Sequence, residues 1–141
     1  MARNKNSSDT KNEIIAAATE LFVRNGYENT TIEDILKEWK GSKGSLYYYF
    51  KSKEEILDAV VYALVEREEE RIKAAISERE CSALDMLKLF LIACLDRDQQ
   101  LYDLEAEISR SGNITLSYRM ARLYIEKSLP FLRLIMLKGI G

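Results

Sequence analysis

Histidine is absent from the 141 residues, and with it the side chain that proteins use most often as a general base or a transition-metal ligand. There is one proline and there are six glycines, a scarcity that favours long helices over a turn-rich β architecture. The chain also lacks a glycine-rich phosphate loop and metal-ligand spacing. Glu68 to Glu70 stand in a run of charge that indicates a solvated face rather than a catalytic site. We therefore expect an all-α protein with no catalytic residue, no metal and no cofactor.

The cysteines and the apolar segments are also few. Cys81 and Cys94 are thirteen residues apart and form no CxxC pair, so we expect reduced structural cysteines rather than a disulfide. No apolar run approaches the ~20 residues of a membrane span, and the polar start MARNKNSSDTKN lacks the apolar core of a signal peptide. These features predict a cytoplasmic protein without a membrane partner.

Charge is distributed unevenly along the chain. The net charge is −2, yet the segment from Lys37 to Lys53 carries five lysines against one glutamate. From Glu54 onward, twelve Lys and Arg stand against sixteen Asp and Glu. A short basic segment on an acidic body is typical of a local anion-binding surface. The alternative is that these lysines form an ordinary solvated face that binds no anion.

Apolar periodicity and capping signals predict seven helices. The first follows a disordered polar arm over residues 1–9. Capping boxes, in which a Ser or Thr is followed three residues later by Glu, are predicted at Thr10–Glu13, Thr30–Glu33 and Ser52–Glu55. The predicted helices are 11–25, 31–40, 43–49, 53–77, 82–97, 99–111 and 113–138, with a kink or break at Pro130 in the last.

Three consecutive tyrosines lie in the short third helix, which Ser42 is expected to cap. At about 100° per residue, Phe50 falls about 40° from Leu46, and these two residues mark the buried face. Tyr48 falls about 200° from Leu46 and is expected to face solvent. Tyr47 and Tyr49 flank it, and the alternative for these two is a half-buried position with a wet hydroxyl.

This tyrosine ridge fits the second helix of a helix–turn–helix, which enters the DNA major groove with its first residues near base edges. Gly44 and Ser45, on the same side as Tyr48, would let the backbone approach. Tyrosine hydroxyls and lysines donate to phosphate oxygens, and a tyrosine ring can touch a thymine methyl. The short break between the second and third helices fits such a unit.

The segment NEIIAAATELFVRNGYENTTIEDI, followed by SKGSLYYYFKSKEEIL, resembles the N-terminal domain of TetR-family transcriptional repressors. The resemblance spans about residues 10–58. It implies a helix–turn–helix DNA-binding domain over 10–53, joined by a long helix to a helical regulatory domain over 54–141. It also implies DNA contacts: Thr31, Ser42, Tyr48, Tyr49 and Lys53 on phosphates, Lys43, Gly44 and Ser45 near base edges, and Tyr47 toward bases or sugar.

The resemblance further implies a repressor that binds a palindromic double-stranded operator as a homodimer and is released by a small apolar effector. Residues that would line the effector pocket, or else form ordinary core, are Met86, Phe90, Tyr118, Met120 and Tyr124. The chain ends in LRLIMLKGIG, which resembles the end of helix 7 and the loop after it. We therefore expect the family's last two helices to be missing, either because the chain is a fragment or because it dimerises through another surface.

The sequence departs from the family in the turn before the third helix, where the family usually has Ala-x-x-Ala-Gly-Val-Ser. Leu36 and Trp39 replace the two small residues and are expected to push helices 2 and 3 apart. Glycine moves one place along, to Gly41, so Lys40 must occupy or avoid a left-handed conformation. These changes suggest the alternative function, a helical protein-interaction module that has lost DNA binding.

Overall fold

The computed structural model describes residues 7–77 and 81–140, and over these ranges the chain forms seven α-helices and no strand. The predicted all-α class is confirmed, and the third helix has the predicted bounds. The helices are α1 Ser7–Asn25, α2 Ile32–Trp39, α3 Lys43–Tyr49, α4 Lys53–Ser77, α5 Ala83–Leu95, α6 Gln99–Ser111 and α7 Ile114–Ile140.

Helix α1 begins earlier than predicted. Residues 7–9 of the predicted disordered arm are helical, and Thr10 lies inside the helix rather than at its cap. The rest of that arm, residues 1–6, lies outside the described residues. Asp9 in the first turn interacts favourably with the helix dipole, and the Ser7 hydroxyl lies 3.1 Å from the Tyr49 hydroxyl. The Ser7–Tyr49 contact joins residues 42 positions apart, so no local capping signal could predict it.

Helix α2 is capped by Thr31, one residue later than predicted. The Thr31 hydroxyl accepts from the backbone N–H of Asp34 at 3.1 Å, and the Asp34 carboxylate accepts from the backbone N–H of Thr31 at 2.9 Å. Hydrogen bonds from the hydroxyl and backbone of Thr31 lower the pKa of Asp34. Thr30 is fully buried, and its hydroxyl donates to the Gly26 carbonyl at 2.8 Å. A buried hydroxyl needs such a partner, so Thr30 is not available as the cap.

One hydrophobic core joins the first three helices to the second half of the chain. Phe22, Ile35 and Leu46 from the N-terminal helices pack with Ile56 of α4 and Leu104 of α6, and all five are fully buried. Burying such a side chain contributes about 1.5–3 kcal/mol. Five apolar residues of α4 are also buried: Ile56, Leu57, Val60, Leu64 and Ile72. The long helix α4 therefore connects the two halves through continuous packing.

Helices α5 and α7 leave much of their apolar surface exposed. Met86 of α5 is buried in a small second cluster with Cys81 and Ile135, and both cysteines are free.

Helix α7 continues through Pro130, so the predicted break does not occur. Proline removes one helical hydrogen bond, to the carbonyl four residues earlier. Pro130 and Glu126 are both exposed, so water can bond that carbonyl. Among the helices described, none combines the length and apolarity needed to cross a bilayer.

Candidate nucleic-acid interface

Helix α3 is oriented as its sequence predicts. Leu46 is 0% exposed and Phe50 is 3% exposed, so both are anchored in the core. Tyr48 is 79% exposed on the opposite side, and Tyr47 is 43% exposed beside it. Tyr49 is half-buried, as the alternative for the flanking tyrosines foresaw. Its ring meets the Tyr48 ring edge-on, with centroids 5.0 Å apart. The helix thus presents an aromatic, hydroxyl-bearing edge to solvent.

The start of α3 carries small and basic residues. Ser42 caps the helix, because its hydroxyl accepts from the backbone N–H of Ser45 at 3.1 Å, and that hydroxyl keeps its own proton for an external acceptor. A Cβ built on Gly44 would meet nothing within 4 Å, so its backbone is open to a ligand. The Lys43 ammonium lies 3.4 Å from the Glu33 carboxylate, and both side chains are 62% exposed. Such a surface pair contributes little, so Lys43 can exchange this partner for a phosphate.

The turn between α2 and α3 accommodates the departures from the family pattern. Lys40 adopts the left-handed conformation at φ 61°, and its backbone N–H closes α2 on the Leu36 carbonyl at 2.9 Å. The Trp39 indole lies over Gly41 so closely that a Cβ there would fall within its ring. The indole N–H donates to the Glu13 carboxylate of α1 at 3.2 Å. Glycine is therefore required at position 41 by the tryptophan ring, not by a left-handed backbone.

Two of the predicted phosphate contacts, Thr31 and Lys53, have partners within the protein. Thr31 is exposed, but its hydroxyl donates to the Asp34 carboxylate at 2.7 Å. The Lys53 ammonium donates to the carbonyls of Tyr27 and Thr30 at 2.9 and 3.0 Å. Thr31 and Lys53 therefore hold the local fold, and their contact with DNA stays a prediction.

Two residues of α1, Ser7 and Lys11, lie near the three tyrosines of α3 and were not predicted from the sequence. The Ser7 hydroxyl is within hydrogen-bonding distance of Tyr49, and the exposed Lys11 ammonium lies 5.6 Å from the centre of the Phe50 ring. Lys11 therefore adds a positive charge beside the end of α3. No local signal indicated this, because the start of α1 and the end of α3 are brought together only by the fold.

A cavity of about 90 Å³ lies between α4, α5 and α7. Phe90 and Tyr124, two of the five residues predicted to line an effector pocket, line this cavity, and its occupation by an effector stays a prediction. The other three predicted pocket residues do not: Met86 and Met120 are buried in the two core clusters, and Tyr118 is 69% exposed. Helical periodicity could not separate the cavity wall from the core, because both are apolar. The remaining lining residues are Val65, Glu68, Glu69, Ile72, Ala93, Cys94, Arg97, Lys127, Ser128 and Phe131.

The cavity wall carries one polar atom without a partner. The Tyr124 hydroxyl is buried and makes no hydrogen bond, and burial, followed by the Glu105 charge, raises the pKa of Tyr124 to about 12. The acidic groups nearby are paired: Glu68 with Arg71 at 2.5 Å, and Glu105 with Arg97 at 2.7 Å. Burial raises the pKa of Glu105, an effect that Arg97 opposes. The cavity lining is thus mostly apolar, and the buried Tyr124 hydroxyl is available for a hydrogen bond.

Comparison with known proteins relates about a third of the chain, near its N-terminus, to a family. Residues 14–60 match the family model described as bacterial regulatory proteins, tetR family. The chain is 50% identical over 46 residues to the HTH-type transcriptional regulator QacR of Staphylococcus aureus, covering 33% of this chain and 24% of that protein. It is 34% identical over 90 residues to the fatty acid metabolism regulator protein of Bacillus subtilis, covering 61% of this chain and 46% of that protein.

The same helical arrangement occurs in a solved structure. The fatty acid degradation regulator FadR from Bacillus halodurans superposes with a TM-score of 0.71 at 21% identity, over 92% of this chain and 67% of that one. At this identity the likeness shows the fold alone. The chain spans less than half the length of the two curated relatives named above. Residues 14–60 of the chain thus match the helix–turn–helix domain of the tetR family of bacterial regulatory proteins, and its described helices share the fold of a solved regulator.

Proposed function

We propose that this protein is a DNA-binding transcriptional regulator that places α3 in the major groove of its operator. The observation that carries the proposal is the orientation of α3. Leu46 and Phe50 anchor one face in the core, and Tyr48 stands 79% exposed on the other. An exposed tyrosine on the second helix of a helix–turn–helix unit is positioned to meet DNA in the major groove.

The chemistry of this edge suits a nucleic acid. Lys37, Lys40, Lys43 and Lys51 are all exposed on α2, its turn and the ends of α3. Cations and hydroxyls at these positions donate to phosphate oxygens and orient the protein on the duplex. The open backbone at Gly44 lets α3 approach base edges.

The cavity between α4, α5 and α7 is the proposed effector site. Its apolar wall favours an apolar ligand body, and the unpaired Tyr124 hydroxyl favours a ligand with one hydrogen-bonding group. Because α4 forms one wall and begins immediately after α3, a ligand that shifts α4 can alter how α3 meets DNA. We propose that the protein acts in the cytoplasm as a homodimeric repressor on a palindromic operator, and that the effector releases it.

The alternative of an interaction module that has lost DNA binding has less support. That alternative was suggested by Leu36, Trp39 and Lys40, and the turn accommodates each of these residues. Lys40 is left-handed, Trp39 folds over Gly41, and Leu36 is half-buried against the core.

Selection of bound duplexes from a random double-stranded pool tests the proposal. We expect one enriched sequence family, and a dissociation constant whose logarithm rises steeply with log salt, with a slope of about +0.9 per phosphate contacted. Failure to enrich any duplex, or binding that is insensitive to salt, would contradict the proposal.

A further inference from the structure

Arg71 of α4 binds oxygens of a neighbouring helix as well as one of its own. Its guanidinium pairs with the Glu68 carboxylate at 2.5 Å and with the Asp96 carboxylate at 2.9 Å. It also donates to the backbone carbonyls of Ala93, at 3.3 Å, and Asp96. Glu68 is 6% exposed, and a carboxylate buried to this extent is costly unless it is paired and hydrogen-bonded. Arg71 therefore neutralises Glu68 and at the same time attaches the end of α5 to α4.

These contacts join two walls of the cavity between α4, α5 and α7. Glu68 on α4 and Ala93 on α5 both line the cavity, whereas Arg71 itself is not among the lining residues. The Ala93 carbonyl belongs to the last turn of α5, where carbonyls lack partners within the helix. A positive charge at this end of a helix interacts favourably with the helix dipole. The guanidinium thus caps α5 while it sets the separation of two lining residues.

A second arginine of α4 holds the other end of the same connection. Arg67 lies one turn before Arg71, and its guanidinium is 2.5 Å from the Asp98 carboxylate and 3.0 Å from the Gln100 side-chain oxygen. Asp98 is the cap of α6. The connection from α5 to α6, residues 96–98, is therefore attached to α4 at both ends. Exposed ion pairs are weak singly, so the Arg71 contacts, which include a buried carboxylate, are the stronger of the two sets.

We propose that Arg71 is a positioning residue of the effector site, which holds the end of α5 against α4 and so keeps the α5 wall of the cavity in place. The inference rests on the proposed effector function for its role in regulation. The cavity wall itself can be measured with an inert probe, without an effector and without DNA.

Three variants of the full chain separate positioning from stability. Arg71→Met alone would leave the buried Glu68 carboxylate unpaired, so it is combined with Glu68→Gln in one double variant. Arg71→Lys keeps a charge beside Glu68 but lacks the planar fork that reaches several oxygens at once. Arg122→Met is the matched control, because it removes an Arg–Glu pair within a single helix, that of Arg122 with Glu126 at 2.8 Å.

Xenon is a suitable probe, because it binds apolar protein cavities and has no charge or hydrogen-bonding group. Its binding is followed by the NMR chemical shifts of Val65, Ile72 and Ala93, which line the cavity. Amide hydrogen exchange over residues 93–96 reports opening at the end of α5. Urea unfolding of each variant measures its global stability.

In the wild type we expect saturable xenon-induced shifts at the three lining residues. In the double variant and in Arg71→Lys, amide exchange over residues 93–96 should accelerate about tenfold or more, because hydrogen bonds that resist local opening are lost. The xenon dissociation constant should rise about threefold or more, because xenon loses contacts with the displaced wall. The urea midpoint of Arg71→Lys should stay close to the wild-type value, since Glu68 keeps a charged partner. Arg122→Met should match the wild type in all three measurements.

Two results would overturn the proposal while leaving the proposed effector site intact. The first is wild-type exchange and wild-type xenon affinity in both Arg71 variants. The second is faster exchange with unchanged xenon affinity, which would show that Arg71 caps α5 without shaping the cavity. If the wild-type chain itself shows no xenon-induced shifts at the lining residues, the proposed effector site fails, and this proposal fails with it.

Discussion

The packing of Trp39 on Gly41 yields the sharpest test of how this turn is built. Gly41→Ala places a methyl group inside the volume of the indole ring. The ring cannot move away without cost, because its N–H is bonded to Glu13 and it is half-buried against the core. Overpacking of this kind costs about 1–3 kcal/mol, so we expect the free energy of unfolding to fall by that amount.

The effect of Gly41→Ala on the free energy of unfolding should change sign when the indole ring is absent. Gly41 is not among the glycines with positive φ, which in the described chain are Gly26 and Gly112, so alanine fits its backbone. In a Trp39→Ala background, Gly41→Ala should therefore stabilise the protein by about 0.4–1 kcal/mol through the lower entropy of the unfolded chain. The coupling energy between positions 39 and 41 is then about 1.5–4 kcal/mol.

The wild type, the two single variants and the double variant form a double-mutant cycle, and urea unfolding followed by circular dichroism at 222 nm measures the stability of all four. Fluorescence is unsuitable because Trp39→Ala removes the single tryptophan. Gly44→Ala is the matched control, since its Cβ meets nothing within 4 Å and it lies in α3. We expect a gain of about 0.5–1 kcal/mol there. An equal cost of Gly41→Ala in both backgrounds would refute the reasoning.

Three further predictions concern stability. Lys40→Gly should raise the free energy of unfolding by about 0.5–1 kcal/mol in urea titrations, because glycine relieves the left-handed conformation at φ 61°; a loss would mean that the lysine side chain stabilises the turn. Tyr124→Phe should raise the unfolding free energy by about 1 kcal/mol, because it removes a buried hydroxyl without a partner; a loss would show that the hydroxyl is satisfied. Burial, followed by the Glu54 charge, raises the pKa of Tyr27 from 10.0 to about 12, so the folded state holds this proton more tightly than the unfolded state. The stability that depends on this proton is present below about pH 10 and is lost as the pH rises toward 12; Tyr27→Phe should show a shallower loss in alkaline unfolding titrations, and an equal slope would count against this account.

The sequence predicted α3 well because its signals were local. Ser42 was available as a cap, and the spacing of Leu46 and Phe50 defined one buried face. Both signals lie within the seven-residue helix and its two cap residues. The outward direction of Tyr48 follows from the same geometry.

The neighbouring cap could not be assigned from sequence, because two threonines competed for it. Thr30 and Glu33 have the spacing of a capping box, but Thr31 and Asp34 have the same spacing and form the box in the structure. The choice depends on the burial of Thr30, whose hydroxyl bonds to the Gly26 carbonyl. That contact is set by the packing of the α1–α2 turn and leaves no separate signal in the sequence.

Residues whose roles depend on distant partners were the hardest to predict. Lys53 was expected on a phosphate, and the structure shows it bonded to carbonyls more than twenty positions away. Of the five predicted pocket residues, only Phe90 and Tyr124 line the cavity, because the stagger of α4, α5 and α7 decides which apolar residues face it.

Whether the exposed edge of α3 binds DNA is decided most directly by comparing Tyr48→Ala with Tyr102→Ala on the selected operator duplex. Tyr48 is 79% exposed on α3, and Tyr102 is 57% exposed on α6, so both truncations leave the core intact. We predict that the dissociation constant rises about tenfold or more for Tyr48→Ala, since losing a base or phosphate contact costs about 1–3 kcal/mol, and stays within about twofold of wild type for Tyr102→Ala. Equal affinity of Tyr48→Ala and wild type would contradict the account.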